Sequence, residues 1–277
     1  FLPKKFVDHT HPDAILALSN QEDGEGHLRQ ALGTEVALLP YITPGFKLAK
    51  AVAAEFEENP GLKAMVLMQH GLLTWGETAP ESYRMTIDLV GKAEKYLRKK
   101  ARVSIAPSVS TPVQLAEKRL TAVAPVVRGL LARPTGDADH PWERFIMQPL
   151  INRDVLKVVD SDRGRDIAST PPLTSDHLIR TKPFYLWLEE PEFDEIEKFR
   201  RQLSKAVQEY AAAYKAYVDK YARTMPEGVQ RMDPSPRVLL IPGLGALCAG
   251  KDAESAAIVK DIAAHTLAVK AEIAAMG

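Results

Sequence analysis

The chain has 277 residues, of which 45% are hydrophobic and 26% are charged, a composition typical of a globular protein with a substantial core. Lysine plus arginine and aspartate plus glutamate both number 36, so no net charge attracts nucleic acid, an anionic membrane or a polyanionic substrate. Small molecules or other protein chains are the expected partners. The single cysteine, Cys248, excludes an internal disulfide, no apolar run has the length of a membrane span, and a cytoplasmic location is expected.

The N-terminal part of the chain alternates between strand and helix patterns. Residues 5–11 alternate in polarity as a strand does, and Pro12 and Asp13 begin an apolar helical stretch. Residues 20–26 are polar and predict a turn. Residues 36–39 predict a short strand, and a helix is predicted from Pro44 to about Glu58.

A further strand and helix follow. Residues 64–69 form an apolar strand pattern, and His70-Gly71 stands where this strand is expected to leave the sheet. Thr78, with Glu81 as its capping-box partner, predicts a helix over residues 79–99. One proline, two serines and a threonine in residues 106–111, with a further proline at residue 112, predict a linker. The expected domains are therefore residues 1–105, which contain His9, His11 and His70, and residues 106–277.

The second half contains a long helical pattern. Residues 155–159 and 185–188 predict strands, and residues 163–166 predict a charged turn. From about Pro191, apolar and aromatic residues recur every three or four positions, which predicts a helix of about eight turns. Its stripe comprises Phe193, Ile196, Phe199, Leu203, Val207, Tyr210, Tyr214, Tyr217 and Tyr221. Such a stripe is typical of a core or a subunit contact rather than a cofactor site.

The two halves also share a sequence pattern. Residues 66–82 resemble residues 238–255 when two short gaps are allowed. The correspondences predicted from this register are His9 with His177, His11 with Ile179, and His70 with Pro242. Two interpretations stay open: a second, degenerate lobe that keeps at most one of the three histidines, or chance recurrence of a common unit of strand, turn and helix.

A charged segment near residue 180 has two interpretations as well. His177, Arg180 and Lys182 follow Asp176 closely and could together bind an anion. Charges in such a run more often belong to a solvated face. The sequence does not assign a role to these four residues.

Three histidines have the pattern of a metal site. Side chains at positions i and i+2 of a strand lie on the same face, so the imidazoles of His9 and His11 can converge on one ion. His70, at the end of another strand, would be the third ligand. Three neutral imidazoles hold zinc and leave a position open, which is the arrangement of a catalytic site. On spacing alone this signal is weak, because surface and core histidines also occur in such patterns.

The residues around these histidines are more specific. Residues 6–14 (FVDHTHPDA) and 68–79 (MQHGLLTWGETA) closely resemble the two signature segments of the class II aldolase and adducin family. The resemblance is strongest to a bifunctional branch, in which an aldolase region similar to rhamnulose-phosphate aldolase precedes a short-chain dehydrogenase. Residues 173–182 and 236–245 resemble the same branch, so the resemblance covers essentially the whole chain.

This resemblance implies a fold and a function. The implied fold is α/β, with three layers (α/β/α) around a mixed central sheet, and the implied cofactor is zinc or another divalent metal bound by His9, His11 and His70. The implied reaction cleaves a ketose 1-phosphate, such as a deoxyketose phosphate, to dihydroxyacetone phosphate and an aldehyde in a homo-oligomer. Two alternatives stay open: a non-catalytic scaffold, or the aldolase-like part of a fused NAD-dependent dehydrogenase.

The sequence departs from the family pattern in two places. Family members carry a phosphate-binding loop and an acid/base glutamate upstream of the His-x-His strand, so these are expected before Phe1, in a longer enzyme. The isolated segment is therefore expected to bind metal but to have little aldolase activity. Gly243-Leu244-Gly245 follows a strand, but Cys248 replaces the third glycine, so no dinucleotide fingerprint is predicted.

Overall fold

A computed structural model of the chain describes residues 2–103, 105, 107, 109–225 and 227–277. The strands are β1 (Phe6–Thr10), β2 (Val36–Leu39), β3 (Ala64–Leu67), β4 (Gly71–Gly76), β5 (Arg133–Pro134), β6 (Trp142–Glu143), β7 (Ile146–Leu150), β8 (Leu186–Trp187), β9 (Val238–Ile241) and β10 (Gly245–Gly250). The helices are α1 (Asp13–Ser19), α2 (Gly24–Leu32), α3 (Phe46–Glu58), α4 (Ala79–Lys100), α5 (Val113–Leu131), α6 (Arg153–Val159), α7 (Gly164–Ser169), α8 (Ser175–Thr181), α9 (Ile196–Tyr221) and α10 (Ala253–Met276). In this part of the chain no helix has both the length and the apolar character needed to cross a membrane.

The chain divides into two compact units. The first unit comprises Phe1–Ser104, Leu173–Leu178 and Val269–Gly277, and the second comprises Ile105–Pro172 and Ile179–Ala268. Two short segments from the second half of the sequence therefore belong to the first unit. The domain division at residue 105 stays a prediction, and the predicted linker includes residues 106 and 108, which lie outside the described residues.

The first unit is built around a mixed four-stranded sheet with the order β1-β4-β3-β2. β2 is parallel to β3, whereas β4 is antiparallel to both β3 and β1. Alternate strand residues face opposite sides, so Val36, Val66 and Leu72 pack with α1, α2 and α4, while Met65 and Trp75 pack with α3. This is the predicted arrangement of helices on both faces of a mixed sheet.

The chain does not leave the sheet at His70. Residues 68–70 form a tight turn in which the N–H of His70 donates to the carbonyl of Leu67 at 3.1 Å, and the chain returns as β4. Gln69, the middle residue of this turn, adopts a left-handed conformation with φ of 56°, as the third position of a type II turn requires. The strand therefore ends at Leu67, close to the predicted end, but the apolar pattern does not reveal the hairpin that returns the chain to the sheet.

The second unit repeats this topology. Its main sheet has the order β7-β10-β9-β8, with β8 parallel to β9 and with β10 antiparallel to both β9 and β7. Leu239, Ile241 and Leu247 pack in one core with residues of α5 and α9. The aromatic stripe of α9 is part of that core, since Phe199, Leu203, Tyr210 and Tyr214 are buried. The two halves thus share strand order and strand direction.

The register predicted for the repeat is wrong. Thr10 lies opposite Leu72 in the first sheet, and Leu150 lies opposite Ala246 in the second. Counting from these pairs, the structural counterparts are Pro149 for His9, Ile151 for His11, and Leu244 for His70. His177 and Pro242 are therefore not the counterparts of metal-site histidines. The second unit keeps none of the three imidazoles, because strand pairing sets the register and the local sequence similarity is offset from it.

One predicted strand is corrected, and two predicted turns end earlier than expected. The segment predicted as a strand over residues 155–159 belongs to helix α6, where Val155, Leu156, Val158 and Val159 are buried at helical spacing. The side chain of Asn152 caps this helix by accepting a hydrogen bond from the N–H of Val155 at 2.9 Å. The turn predicted over residues 20–26 is present at residues 20–23 and leads into α2 at Gly24, and the turn predicted over residues 163–166 ends where α7 begins at Gly164.

Candidate metal centre

The three histidines lie where one edge of the first sheet meets the β3–β4 turn. His9 is in β1 opposite Leu73, and His11 follows that strand. His70 immediately precedes Gly71, the first residue of β4. Because β1 and β4 are antiparallel neighbours, the end of one strand lies beside the beginning of the other. Pairing of these strands therefore brings residues 11 and 70 together, although they are far apart in sequence.

The three imidazoles form a compact cluster. Their ring centroids are 4.9 Å apart for His9 and His11, 4.9 Å for His9 and His70, and 5.0 Å for His11 and His70. Each can offer one nitrogen such that the three nitrogens lie within 4.8 Å of one another. The predicted convergence of the three histidines is therefore present in the fold, and their role as metal ligands stays a prediction.

Gly71 makes room for two of these rings. A Cβ atom at this position would lie 2.4 Å from the carbonyl oxygen of Thr10, 2.7 Å from Cδ2 of His11 and 3.1 Å from Cε1 of His9. Contacts under 3.0 Å are essentially never made by real Cβ atoms. The His70-Gly71 pair therefore supplies a ring and the space that the other two rings require.

A hydrogen bond orients the ring of His9. Nδ1 of His9 lies 3.0 Å from the carbonyl oxygen of Leu72, which can only accept, so His9 donates through Nδ1 and its Nε2 keeps a lone pair. Nε2 of His9 and Nε2 of His11 are 3.1 Å apart. Nδ1 of His70 is buried and has no hydrogen-bond partner among the described residues. A buried polar nitrogen without a partner is costly, which favours a ligand at this place.

Burial favours the neutral form of the cluster. Burial, followed by the nearby His9, lowers the pKa of His11, although the carboxylate of Asp176 partly opposes this effect. Burial also lowers the pKa of His70, with His9 and His11 contributing. Because the ordinary histidine pKa is 6.5, both rings are mainly neutral at pH 7 and can offer lone pairs.

The cluster opens into a cleft of about 940 Å³ in the first unit. One part of its wall is apolar and includes Leu48, Val52 and Leu73. Pro44 and Gly45, at the beginning of α3, form another part. The polar lining comprises Thr10, His9, His11, His70 and Asp176. A small polar molecule with an apolar end could therefore reach the imidazoles.

The donor set fits a divalent metal such as zinc. Two nitrogens that each lie about 2.0–2.1 Å from a tetrahedral zinc are about 3.3 Å apart, close to the 3.1 Å between the Nε2 atoms of His9 and His11. Three neutral nitrogen donors beside an open cleft also match the composition of catalytic zinc sites, which keep one position for substrate. Two further features favour a bound metal: Nδ1 of His70 has no partner among the described residues, and Gly71 leaves room for the rings of His9 and His11.

One residue of this site was not assigned a role from the sequence. Oδ2 of Asp176, at the beginning of α8, lies 3.6 Å from Nδ1 of His11. No periodicity or motif could have placed it there, because it comes from a segment that folds back onto the first unit. The sequence marks this stretch through the resemblance around residues 173–182 and as a charged segment, but neither assigns Asp176 a role beside His11.

The charged segment near residue 180 does not form one anion site. Asp176 and His177 belong to the first unit, whereas Arg180 and Lys182 belong to the second. Lys182 is 1% exposed, and its Nζ donates to the carbonyl oxygens of Asp233 and Ser235. The ammonium group thus serves the interior of the second unit, which contradicts an anion-binding role for Lys182.

Two family matches together span most of the chain. Residues 3–97 match the family described as "Class II Aldolase and Adducin N-terminal domain", and residues 118–277 match the family described as "Aldolase class II, second domain". The chain belongs to the class II aldolase and adducin family. The three histidines of this aldolase-family chain all lie in the region matched by the N-terminal domain.

A curated protein resembles the whole of the aldolase-family chain, and a solved structure resembles part of it. "Uncharacterized oxidoreductase YuxG" from Bacillus subtilis (strain 168) is 29% identical over 282 residues, which cover 100% of this chain and 39% of that protein. The chain thus spans about two fifths of the length of this curated relative. A solved structure, described as the N-terminal class II aldolase domain of a conserved protein from Thermoplasma acidophilum, is 44% identical, covers 35% of this chain and 44% of its own, and has a TM-score of 0.32.

Proposed function

We propose that this chain is the metal-dependent aldolase region of an enzyme that cleaves a deoxyketose 1-phosphate, such as rhamnulose 1-phosphate, to dihydroxyacetone phosphate and an aldehyde. The observation that carries this proposal is the convergence of His9, His11 and His70 at the cleft, in a chain of the class II aldolase family. These histidines would hold a divalent ion, most suitably zinc. When bound, such an ion supplies Lewis-acid polarisation of carbonyl and hydroxyl oxygens.

The residues of the chain prepare the site for this chemistry. The Leu72 carbonyl holds His9 in the tautomer that leaves Nε2 free, and the antiparallel pairing of β1 with β4 places His11 beside it. Fixed ligands need no reorganisation during the reaction, which is a main source of electrostatic catalysis. Geometry therefore favours a catalytic site over a metal that merely stabilises the fold.

The cleft also suits the proposed substrate class. The apolar side chains of Leu48, Val52 and Leu73 offer a place for the methyl end of a deoxyketose and keep water from that part of the cleft. Pro44 and Gly45, at the beginning of α3, line another part, and a helix N-terminus favours negative charge. A phosphorylated deoxyketose has both an apolar end and an anionic end.

Metal analysis of the purified chain tests the proposal. We expect one equivalent of zinc after dialysis, and loss of zinc in the variants His9→Ala, His11→Ala and His70→Ala. His27→Ala is the matched control, because His27 bonds to Tyr96 in the same unit and is not part of the cluster. A folded chain that holds no zinc, or a His70→Ala variant that keeps its zinc, would contradict the proposal. Release of dihydroxyacetone phosphate by the longer enzyme, abolished by His11→Ala, tests the reaction.

A fused dehydrogenase is the second candidate for the whole protein. It is favoured by the name of the Bacillus subtilis relative, an oxidoreductase of which this chain spans 39%. Gly243 and Leu244 lie in the turn between the antiparallel strands β9 and β10, and Gly245 begins β10, whereas a dinucleotide turn links a strand to a helix. NAD binding by the longer protein but not by this chain would support the fusion. Tight NAD binding by this chain would contradict it.

A non-catalytic scaffold is the third candidate. The complete histidine set argues against it, because a scaffold has no need of three converging imidazoles. Unchanged partner binding after removal of the metal, with no aldolase activity in the longer protein, would favour the scaffold over the enzyme.

A further inference from the structure

Asp176 is a carboxylate that faces the histidine cluster from a distant part of the sequence. Its Oδ2 lies 3.6 Å from Nδ1 of His11, and its side chain lines the same cleft. The ring of His11 presents its other nitrogen, Nε2, to Nε2 of His9. Asp176 therefore lies behind the donor set on the side of His11 opposite to its neighbour, and it is not one of the converging ligand residues.

We propose that Asp176 is a positioning residue for the metal centre, accepting a hydrogen bond from Nδ1–H of His11 so that Nε2 of His11 carries the lone pair. This inference rests on the proposed function. Metal-bound histidines commonly donate their second ring nitrogen to a carboxylate or carbonyl, which fixes the tautomer and makes the ligand more basic. The Leu72 carbonyl does this for His9, and Asp176 supplies the corresponding group for His11.

The separation of 3.6 Å is an ion-pair distance, longer than a hydrogen bond of about 2.9 Å. The side chain of Asp176 is 59% exposed, so a small rotation is enough to close the gap without disturbing a packed core. Whether Asp176 can accept a hydrogen bond from Nδ1 of His11 therefore depends more on the position of its backbone than on its present rotamer.

The backbone around Asp176 is anchored to the first unit. Leu173 is 3% exposed in the hydrophobic core of that unit, and its carbonyl accepts a hydrogen bond from Nδ2 of Asn20 at 3.2 Å. Thr174 is buried, and its hydroxyl accepts from the N–H of His177 at 3.2 Å, which caps the beginning of α8. Asp176 thus lies in the first turn of α8, and hydrogen bonds and burial fix the beginning of this helix to the first unit.

This arrangement gives the second family domain a part in the metal centre. The histidines lie within residues 3–97, matched by the N-terminal domain, whereas Asp176 lies within residues 118–277, matched by the second domain. Residues 173–178 nonetheless belong to the first compact unit. The metal site is therefore composite, and the N-terminal domain alone lacks the group that orients His11.

Zinc affinity of the whole chain tests the proposal. We expect a competition titration against a chromophoric chelator to give a zinc dissociation constant about 10–100-fold higher for Asp176→Ala than for the unchanged chain, with Asp176→Asn between them. Asp176→Glu, which keeps the carboxylate, should restore most of the affinity. Asp88→Ala is the matched control, because Asp88 is an exposed residue of α4 outside the cleft lining.

A spectroscopic measurement separates positioning from general structural damage. Long-range ¹H–¹⁵N spectra of the zinc-loaded chain should show His11 protonated at Nδ1, and Asp176→Ala should broaden or shift this signal while His9 is unchanged. Equal zinc affinity in Asp176→Ala and the unchanged chain would overturn the inference alone. Failure of the unchanged chain to bind zinc would overturn the proposed function as well. Loss of affinity in Asp176→Glu equal to that in Asp176→Ala would also count against the positioning role.

Discussion

Gly71 lies so close to His11 that a methyl group on its Cα would come within 2.7 Å of Cδ2 of the imidazole. The same methyl group would lie 2.4 Å from the carbonyl oxygen of Thr10, so backbone as well as side chain excludes it. The glycine is therefore part of the histidine cluster, although it offers no ligand atom itself.

Gly71→Ala is expected to weaken zinc binding by about tenfold or more, because displacement of His11 or β1 by a few tenths of an ångström spoils the convergence of three rings. The measurement is the zinc dissociation constant by chelator competition. Gly91→Ala is the control, since a Cβ at that exposed position in α4 meets nothing within 4 Å. Alanine there should stabilise the helix by about 0.5–1 kcal/mol and leave zinc binding unchanged. Equal zinc affinity in the two variants would contradict this account of Gly71.

Asn152→Ala is expected to lower the free energy of unfolding of the second unit by about 1 kcal/mol, because it removes the side-chain cap of α6. Urea unfolding followed by tryptophan fluorescence measures this loss. Asn59→Ala is the control: its side chain contacts only the exposed Glu55 among the contacts described, so a change of a few tenths of a kcal/mol is expected. An unchanged free energy of unfolding in Asn152→Ala would show that burial alone stabilises α6.

Asp233 is expected to make the second unit acid-sensitive. Burial acts to raise its pKa, but the hydrogen bond and charge of Arg237 outweigh this and lower it to about 2, from 3.8. Between pH 4 and pH 2 the folded state thus binds fewer protons than the unfolded state, so the free energy of unfolding falls as pH falls, by about 2 kcal/mol in total. Unfolding by urea at pH 5, 4 and 3 measures this slope.

Asp233→Asn should remove that slope and should also destabilise the chain at pH 7. It leaves the buried groups of Arg237 and Lys182 without their carboxylate, and breaking a buried pair in this way costs about 3–5 kcal/mol. Asp139→Asn, in the exposed loop between β5 and β6, is the control and should keep the full acid slope. The same slope in both variants would exclude Asp233 as its source.

Cys248 is expected to be nearly inert in the folded chain. It is fully buried, and burial raises the pKa of its thiol to about 12. At pH 8 the reactive thiolate is then about a thousandfold rarer than in an unfolded chain, whose thiol has a pKa of about 8.5. Alkylation followed by mass spectrometry should be correspondingly slower in buffer than in concentrated urea. Rates within tenfold of each other would mean that β10 opens readily.

Local patterns predicted most of the first unit correctly. The alternation around His9, the apolar run before His70 and the capping box of Thr78 and Glu81 each depend on neighbours in sequence, and each is present in the structure. The segment over residues 155–159 misled the prediction, because its valines favour strands while the spacing of its buried residues and the cap from Asn152 favour a helix.

The repeat shows where local similarity stops being informative. The unit of strand, turn and helix after residue 238 was recognised, yet the counterpart of His9 is Pro149 rather than His177. Strand register is decided by pairing with partners far along the chain, and a similar short segment cannot report which strand lies beside it. Local similarity therefore identifies the recurring unit but not the strands that pair with it.

The sequence by itself determined which three histidines form the candidate metal centre, because the residues beside each one carry the pattern of the class II aldolase family. It also determined that they stand at strand ends, since polarity alternation and turn residues are local. Only the tertiary structure decided that Gly71 must stay small beneath the rings and that Asp176 lies behind His11. Both follow from contacts between segments distant in sequence, which form only when β1, β4 and the turn that begins α8 pack together.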